Sequence, residues 1–160
     1  KLSFIKYEVD KFYNCIYFDR EIKSSMIYPY NYGYIPDTFS NDKDCIDVVV
    51  ISDYPLLNGS FLEVRVLGVL IMVDESGLDY KVISLPNNNF SVSKNENFNI
   101  YNLGDSILNK ISYFFSNYKG LDSNKWVRVG GWKNNFFAVN KIIISLNNFI
   151  KNSSEFIFFY

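Results

Sequence analysis

Three carboxylates, Asp42, Asp44 and Asp47, fall within six residues, directly ahead of the apolar run Val48-Val49-Val50-Ile51. A β-branched run of that length reads as a buried strand, so the acids occupy a loop at the mouth of a rigid element. Like charges this close repel one another unless water, protons or cations intervene. Hard divalent cations suit them, because such ions take oxygen ligands and tolerate a partly hydrated shell. Taken alone, the loop is more often a solvated acidic turn than a metal site, since Asp is common in turns.

Further acids and cations extend the pattern. Asp74 ends one strand-like segment and Asp79 opens the next, with Glu75-Ser76-Gly77-Leu78 as the turn between them. Asp79 and Lys81 are two residues apart and point to one face of a strand. Lys6 and Glu8 share a face in the same way. Arg20, Tyr32 and the pair Tyr118-Lys119 add donors on other elements. Each feature has a plain structural reading: an exposed strand face for Lys6 and Glu8, hairpin flanks for Asp74 and Asp79, and for Lys119 a cation suited to a helix C-terminus. Jointly they suit hydrolysis of a small polyphosphate. Carboxylate-held metals about 4 Å apart clamp phosphate oxygens and lower the pKa of water. Lys and Arg bind the remaining oxygens and stabilise the leaving group.

Composition narrows the chemistry. The chain has 160 residues, 48% of them hydrophobic, which suits one domain with a sizeable core. Sixteen basic and seventeen acidic residues leave a formal charge of −1, which argues against a protein built to neutralise nucleic-acid phosphates. There is no histidine, so acid–base work falls to Asp, Glu, Lys, Tyr or activated water. Two cysteines, Cys15 and Cys45, make neither a disulfide framework nor a zinc spacing and fit a reducing cytosol. No apolar run reaches the roughly 20 residues that span a bilayer; no membrane contact is expected.

The elements that must position these groups follow from periodicity. Phe4–Asp10 and Ile16–Arg20 read as paired strands joined near Tyr13-Asn14. Tyr28–Pro36, with two prolines and a glycine, is a shaped aromatic loop with short extended parts. Leu62–Asp74 is predicted as two strands bent at Gly68, and Asp79–Leu85 as the returning strand. Asn87–Asn99 is polar and loop-like. Ile107, Leu108, Ile111, Phe114, Phe115 and Tyr118 follow helical spacing, with Asp105 as the expected cap. Trp126–Val129 reads as a short strand ended by Gly130-Gly131. Ile142, Ile143, Leu146, Phe149 and Ile150 trace a second helix, and Phe156–Tyr160 is an apolar tail. Strands first and helices later give an α+β pattern in a single domain over 1–160.

These residues, in this order, resemble the soluble family I inorganic pyrophosphatases of the bacterial type. The resemblance rests on Lys6-Tyr7-Glu8 with Asp10-Lys11, then Asp19-Arg20, then Tyr28–Pro36, and on the acidic signature from Asp42 to Asp47. It continues through Gly68-Val69-Leu70 and Met72–Gly77 to Asp79 and Lys81. It ends with Phe114–Lys119 and Lys125-Trp126-Val127. It implies a five-stranded OB-like β-barrel with two main flanking helices, Mg2+ dependence, and hydrolysis of pyrophosphate to two phosphates. By the same resemblance, Asp42, Asp47 and Asp79 would hold the tightest metal, with Asp47 bridging to a second. Asp74, again with Asp79, would hold an ion arriving with substrate, and Glu8 would order metal-associated water. Asp44 would be the general base towards a Mg2+-activated water. Lys6, Arg20, Lys81, Tyr118 and Lys119 would grip phosphate, and Tyr32 would support the nucleophile side. Tyr28 matches the motif too, with packing as an equal explanation. The resemblance also implies a cytoplasmic homo-oligomer, a hexamer.

Three departures stand out. Cys45 replaces the proline usual after the second Asp of the signature, which frees φ and restores an N–H; it is not expected to bind Mg2+, which prefers oxygen. Lys43 stands where a small or acidic residue is usual. The family's N-terminal strand carries a Glu near the metals, and that segment is not in this chain. Two other functions fit parts of the pattern. An OB-type single-stranded oligonucleotide binder without enzymatic activity would stack bases on the aromatics, but carboxylates repel its ligand. An aspartyl-phosphate phosphatase needs its acids after a strand, whereas here they precede one.

Overall fold

The computed structural model describes residues 4–10, 13, 15–40, 44–87 and 97–155. Asn14, Asp42, Lys43, most of the polar 87–99 loop and the 156–160 tail lie outside the described residues.

Two strands, β1 (Ile5–Asp10) and β2 (Cys15–Glu21), form a separate antiparallel hairpin, with Lys6 opposite Arg20. The main sheet has five strands: β3 (Asn31–Tyr34), β4 (Asp47–Val50), β5 (Val64–Asp74), β6 (Gly77–Pro86) and β7 (Val127–Asn134). Their order is β3-β4-β6-β5-β7, and only β4 and β6 run parallel. Among the described residues β3 and β7 are its edges, so these pairings alone do not close a barrel. The α+β class and the two helices are as expected: α1 spans Asp105–Asn117 and α2 spans Asn135–Glu155. No described helix is long and apolar enough to cross a membrane.

The apolar runs of the sheet are continuous because both faces are covered. Side chains alternate across a strand, so Val49, Leu70 and Ile83 join Ile111, Phe114 and Phe115 of α1 in one core. Val48, Val50, Val69 and Val82 join Ala138, Phe137 and Ile142 of α2 in another. A short 3-10 helix, Ile100–Asn102, inserts Ile100 into the first core.

Several boundaries differ from the sequence reading. The segment ending at Asp74 is one strand, not two; the register shifts between Val66 and Gly68, leaving Leu67 as the extra residue of a bulge. Glycine is required at 68 because a Cβ there would lie 2.5 Å from the Lys133 carbonyl oxygen and 2.8 Å from Ile100 Cβ. The bulge thus keeps the strand paired while β7 and the 3-10 helix close in. Strand β7 does not stop at Gly130-Gly131 but runs through them, with its own shift opposite Ile71/Met72. Helix α2 starts well before Ile142, and the Asn134 side chain accepts from the Phe137 amide (3.1 Å) in the manner of a cap. Gly104, at φ 79°, precedes α1, and Asp105 lies inside the first turn, where a carboxylate suits the helix dipole. The β5–β6 turn is tighter than expected: only Glu75-Ser76 lies between the strands, and Gly77 enters β6 at φ 117°.

Candidate active site

The centre of the site is fixed by strand register. Asp47, the first residue of β4, is the parallel-ladder neighbour of Lys81 in β6. Asp79 precedes Lys81 by two residues and shares its face. The Lys81 ammonium ion-pairs with Asp47 and with Asp79 (2.6 Å), although the residue is only 3% exposed. The Tyr32 and Phe115 rings each lie 5.8 Å from Nζ. Burial pulls the Lys81 pKa down, but the charges of Asp47 and Asp79 outweigh it and hold the ammonium firmly protonated. Burial pushes the Asp79 carboxyl up against the pull of Lys81, and the nearby charges of Asp47 and Asp74 push the same way.

Tyrosines close around this centre. Burial, then the charge of Asp47 and a hydrogen bond to it, raise the Tyr32 phenol well above its ordinary value. Burial likewise raises Tyr118 and Tyr28. All three stay protonated and able to donate O–H. Tyr28 packs on Tyr32 and Phe114, with ring centroids 5.0 and 4.9 Å apart. The charge of Asp47 adds to the rise in its pKa and that of Arg20 opposes it.

A second cluster sits at the β5–β6 turn. Lys119, just past α1, donates to Asp74 (2.7 Å) and Glu75 (2.9 Å). The Ser76 amide donates to the other Asp74 oxygen (2.8 Å), and the Trp126 amide reaches Glu75 (3.4 Å). Burial works to raise the Asp74 pKa, but the Lys119 and Ser76 hydrogen bonds hold the carboxyl below its ordinary value. Burial lowers the Lys119 pKa, yet its bonds to Asp74 and Glu75 leave it raised. The two clusters adjoin electrostatically, since Asp79 feels Asp74 and Asp74 feels Lys81.

The hairpin carries the third group. Lys6 ion-pairs with Glu8 and with Asp19 (3.3 Å), and the same Asp19 oxygen accepts from Arg20 (2.9 Å). A cleft of about 510 Å³ is lined by Lys6, Glu8, Asp10, Asp19, Arg20 and Asp44. Asp44 is exposed, and its carbonyl accepts from the Ser40 amide (2.8 Å). Thr38, 1% exposed, donates to the Ile35 carbonyl (2.6 Å) and accepts from the Ile46 amide (2.9 Å). It thereby anchors the loop leading to Asp47.

The structure thus brings Asp47, Asp79, Lys81, Tyr32 and Tyr118 together. It places Asp74 and Lys119 beside them, and Lys6, Glu8, Arg20 and Asp44 around one cleft. Asp42 lies outside the described residues. Asp19, Glu75 and Thr38 were not singled out as site residues by sequence reasoning. Asp19 is signalled by the Lys6–Arg20 register and Glu75 by its place beside Asp74, whereas nothing local marks Thr38. Among the described residues no three acids converge closely enough to hold one ion. The donors nevertheless fit a hard cation: they are carboxylates, and Asp47 and Asp79 already share one positive charge.

The Inorganic pyrophosphatase family matches residues 1–149. An inorganic pyrophosphatase of Rickettsia conorii is 44% identical over 130 residues, covering 81% of this chain and 75% of its own length. That of Pseudomonas aeruginosa is also 44% identical, covering 81% of this chain and 74% of its own. The solved inorganic pyrophosphatase of Helicobacter pylori superposes with a TM-score of 0.88 at 38% identity, covering 93% of this chain and 88% of its own. That of Coxiella burnetii gives 0.86 at 35% identity, covering 92% and 88%. The acidic loop ahead of a buried strand, the carboxylate–lysine centre and these matches have one explanation: the chain belongs to the family I inorganic pyrophosphatases.

Proposed function

We propose that this chain hydrolyses inorganic pyrophosphate to two phosphates, as an inorganic diphosphatase. The observation that carries the reading is the buried Lys81 ammonium held between Asp47 and Asp79 with Tyr32 at its side, in a chain of this family. Asp44 is the general base: water attacks one phosphorus, its proton passes to the Asp44 carboxylate, the bridging P–O bond breaks, and the second phosphate departs with that electron pair. Lys6, Arg20, Lys81, Tyr118 and Lys119 bind non-bridging oxygens and stabilise the charge left on the departing phosphate. Tyr32, held by its bond to Asp47, orients the nucleophile side.

The residues that would hold Mg2+ are Asp42, Asp47, Asp74 and Asp79, with Glu8 ordering water nearby. When bound, Mg2+ neutralises phosphate charge and lowers the pKa of water. Phosphate release from pyrophosphate, measured colorimetrically with Mg2+ and again after chelation, tests the reading. Release of two phosphates per pyrophosphate that stops on chelation supports it; no release refutes it. The burial of Tyr28, Phe114 and Phe115 against one another, instead of their presentation to bases, speaks against the oligonucleotide-binding alternative.

Finer features belong to the same proposal. The five strands form an OB-like barrel; the bulges at Leu67 and Gly130 support it, since bulges bend and twist strands. Residues 1–160 form one domain. The protein works in the cytoplasm, in keeping with its free thiols. It assembles as a homohexamer, which the exposed Phe136, Ile143, Ile144 and Ile150 of α2 support. A clean monomer by sedimentation at micromolar concentration would refute the assembly.

A further inference from the structure

The two buried lysines are arranged alike. Each ammonium sits between two carboxylates: Lys81 with Asp47 and Asp79, Lys119 with Asp74 and Glu75. At Lys81 the backbone imposes this, because Asp47 is its ladder neighbour and Asp79 lies two residues back on the same face. Lysines are almost never this buried unless paired, and removing either cation leaves two carboxylates facing each other, one of each pair (Asp79, Asp74) with its side chain only 18% or 9% exposed. Each group of two carboxylates and one ammonium carries one net negative charge. A divalent ion taken up there reverses that sign.

We infer that Lys81 and Lys119 are stand-in cations, which hold the site's carboxylates in place without metal and are displaced towards phosphate when a divalent ion enters. The inference rests on the proposed reading of Asp47, Asp74 and Asp79 as metal ligands and goes beyond it. It makes the ion and the ammonium competitors for the same oxygens. A lysine head on its flexible four-carbon stem can move without disturbing β6 or the end of α1. The Tyr32 and Phe115 rings flank Lys81 and offer it no alternative anionic partner. Once released, the ammonium has three donors and lacks acceptors, which a phosphate oxygen supplies. An ammonium released in this way would be a donor ready for a phosphate oxygen.

The test is Mg2+ affinity by titration calorimetry on the full chain at fixed pH without substrate, for wild type, Lys81→Met and Lys81→Arg. Competition predicts that Lys81→Met binds Mg2+ about tenfold more tightly. Lys81→Arg, which keeps the charge, stays within about threefold of wild type. The melting temperature of Lys81→Met should be lower than wild type in chelator and should rise more on adding Mg2+. Unchanged or weaker Mg2+ binding by Lys81→Met overturns the inference. If that variant does not fold, Lys119→Met carries the same test against Asp74 and Glu75. Phosphate release by the wild type decides the enzymatic reading separately. An active wild type with metal-indifferent lysine variants refutes the stand-in role alone, and an inactive wild type refutes the activity while the isotherms still judge the lysines.

Discussion

The buried centre of the main sheet and the β1–β2 hairpin carry similar residues in opposite environments. In the sheet, the Lys81 and Lys119 side chains are 4% and 9% exposed, and each is locked between two acids. On the hairpin, Lys6, Asp19 and Arg20 form a comparable chain of ion pairs at 26–31% side-chain exposure. β1 and β2 pair only with each other among the described strands. Exposed pairs contribute little to stability because water screens them and long side chains must be ordered to make them. Buried pairs are costly to break, because the partner left behind has lost its water. The same acid–base vocabulary thus sits in two settings: in the sheet the lysines are also part of the fold, whereas the hairpin pairs add little to it.

That contrast predicts which variants lose rate, which lose stability and which lose both. The largest effect falls on the exposed side. Asp44→Asn should lower kcat by about 10²–10⁴-fold, with a melting temperature within about 2 °C of wild type. Wild-type turnover would remove Asp44 from the base role. Next is Lys119→Ala, measured in chelator by denaturant unfolding. It should cost about 3–5 kcal/mol and lower turnover as well; a loss under about 1 kcal/mol would show that the sheet pairs behave as surface pairs. Gly68→Ala removes no charge but forces a Cβ against the Lys133 carbonyl and Ile100. It should cost about 1–3 kcal/mol and leave KM unchanged, which separates packing from site electrostatics. The smallest effect on rate and stability together belongs to Lys6→Met. It should change stability by less than about 1 kcal/mol while raising KM for pyrophosphate several-fold. An equal loss of stability for Lys6→Met and Lys119→Ala would erase the distinction between the two regions.

Much of this contrast was readable in the sequence, and the unreadable part has physical causes. Period-2 spacing put Lys6 with Glu8 and Asp79 with Lys81 on shared faces, as the ion pairs show. The Asp47–Lys81 pairing was not readable, because β4 and β6 lie side by side only after β5 has intervened in the chain. Lys119 meeting Asp74 and Glu75 likewise depends on where α1 ends against the β5–β6 turn. Local rules also failed where tertiary contacts overrode them. Gly68 and Gly130-Gly131 look like strand breakers, yet bulges absorb them and the strands continue. Helix α2 begins at Asn135, before its apolar stripe is recognisable. Thr38 carries no chemical signature; only its burial and its two hydrogen bonds reveal that it links Ile35 to Ile46, next to Asp47.

The central claim is that an exposed base, Asp44, works against a buried carboxylate–lysine centre that takes up a divalent ion. Phosphate release from pyrophosphate across one Mg2+ titration, with wild type and Asp44→Asn side by side, tests it most directly. The account predicts Mg2+-dependent release by wild type and a hundredfold or greater loss in the variant, about 2.7 kcal/mol or more of barrier, with an unchanged Mg2+ midpoint. Equal release by the two proteins, or release by wild type that persists in chelator, would contradict it.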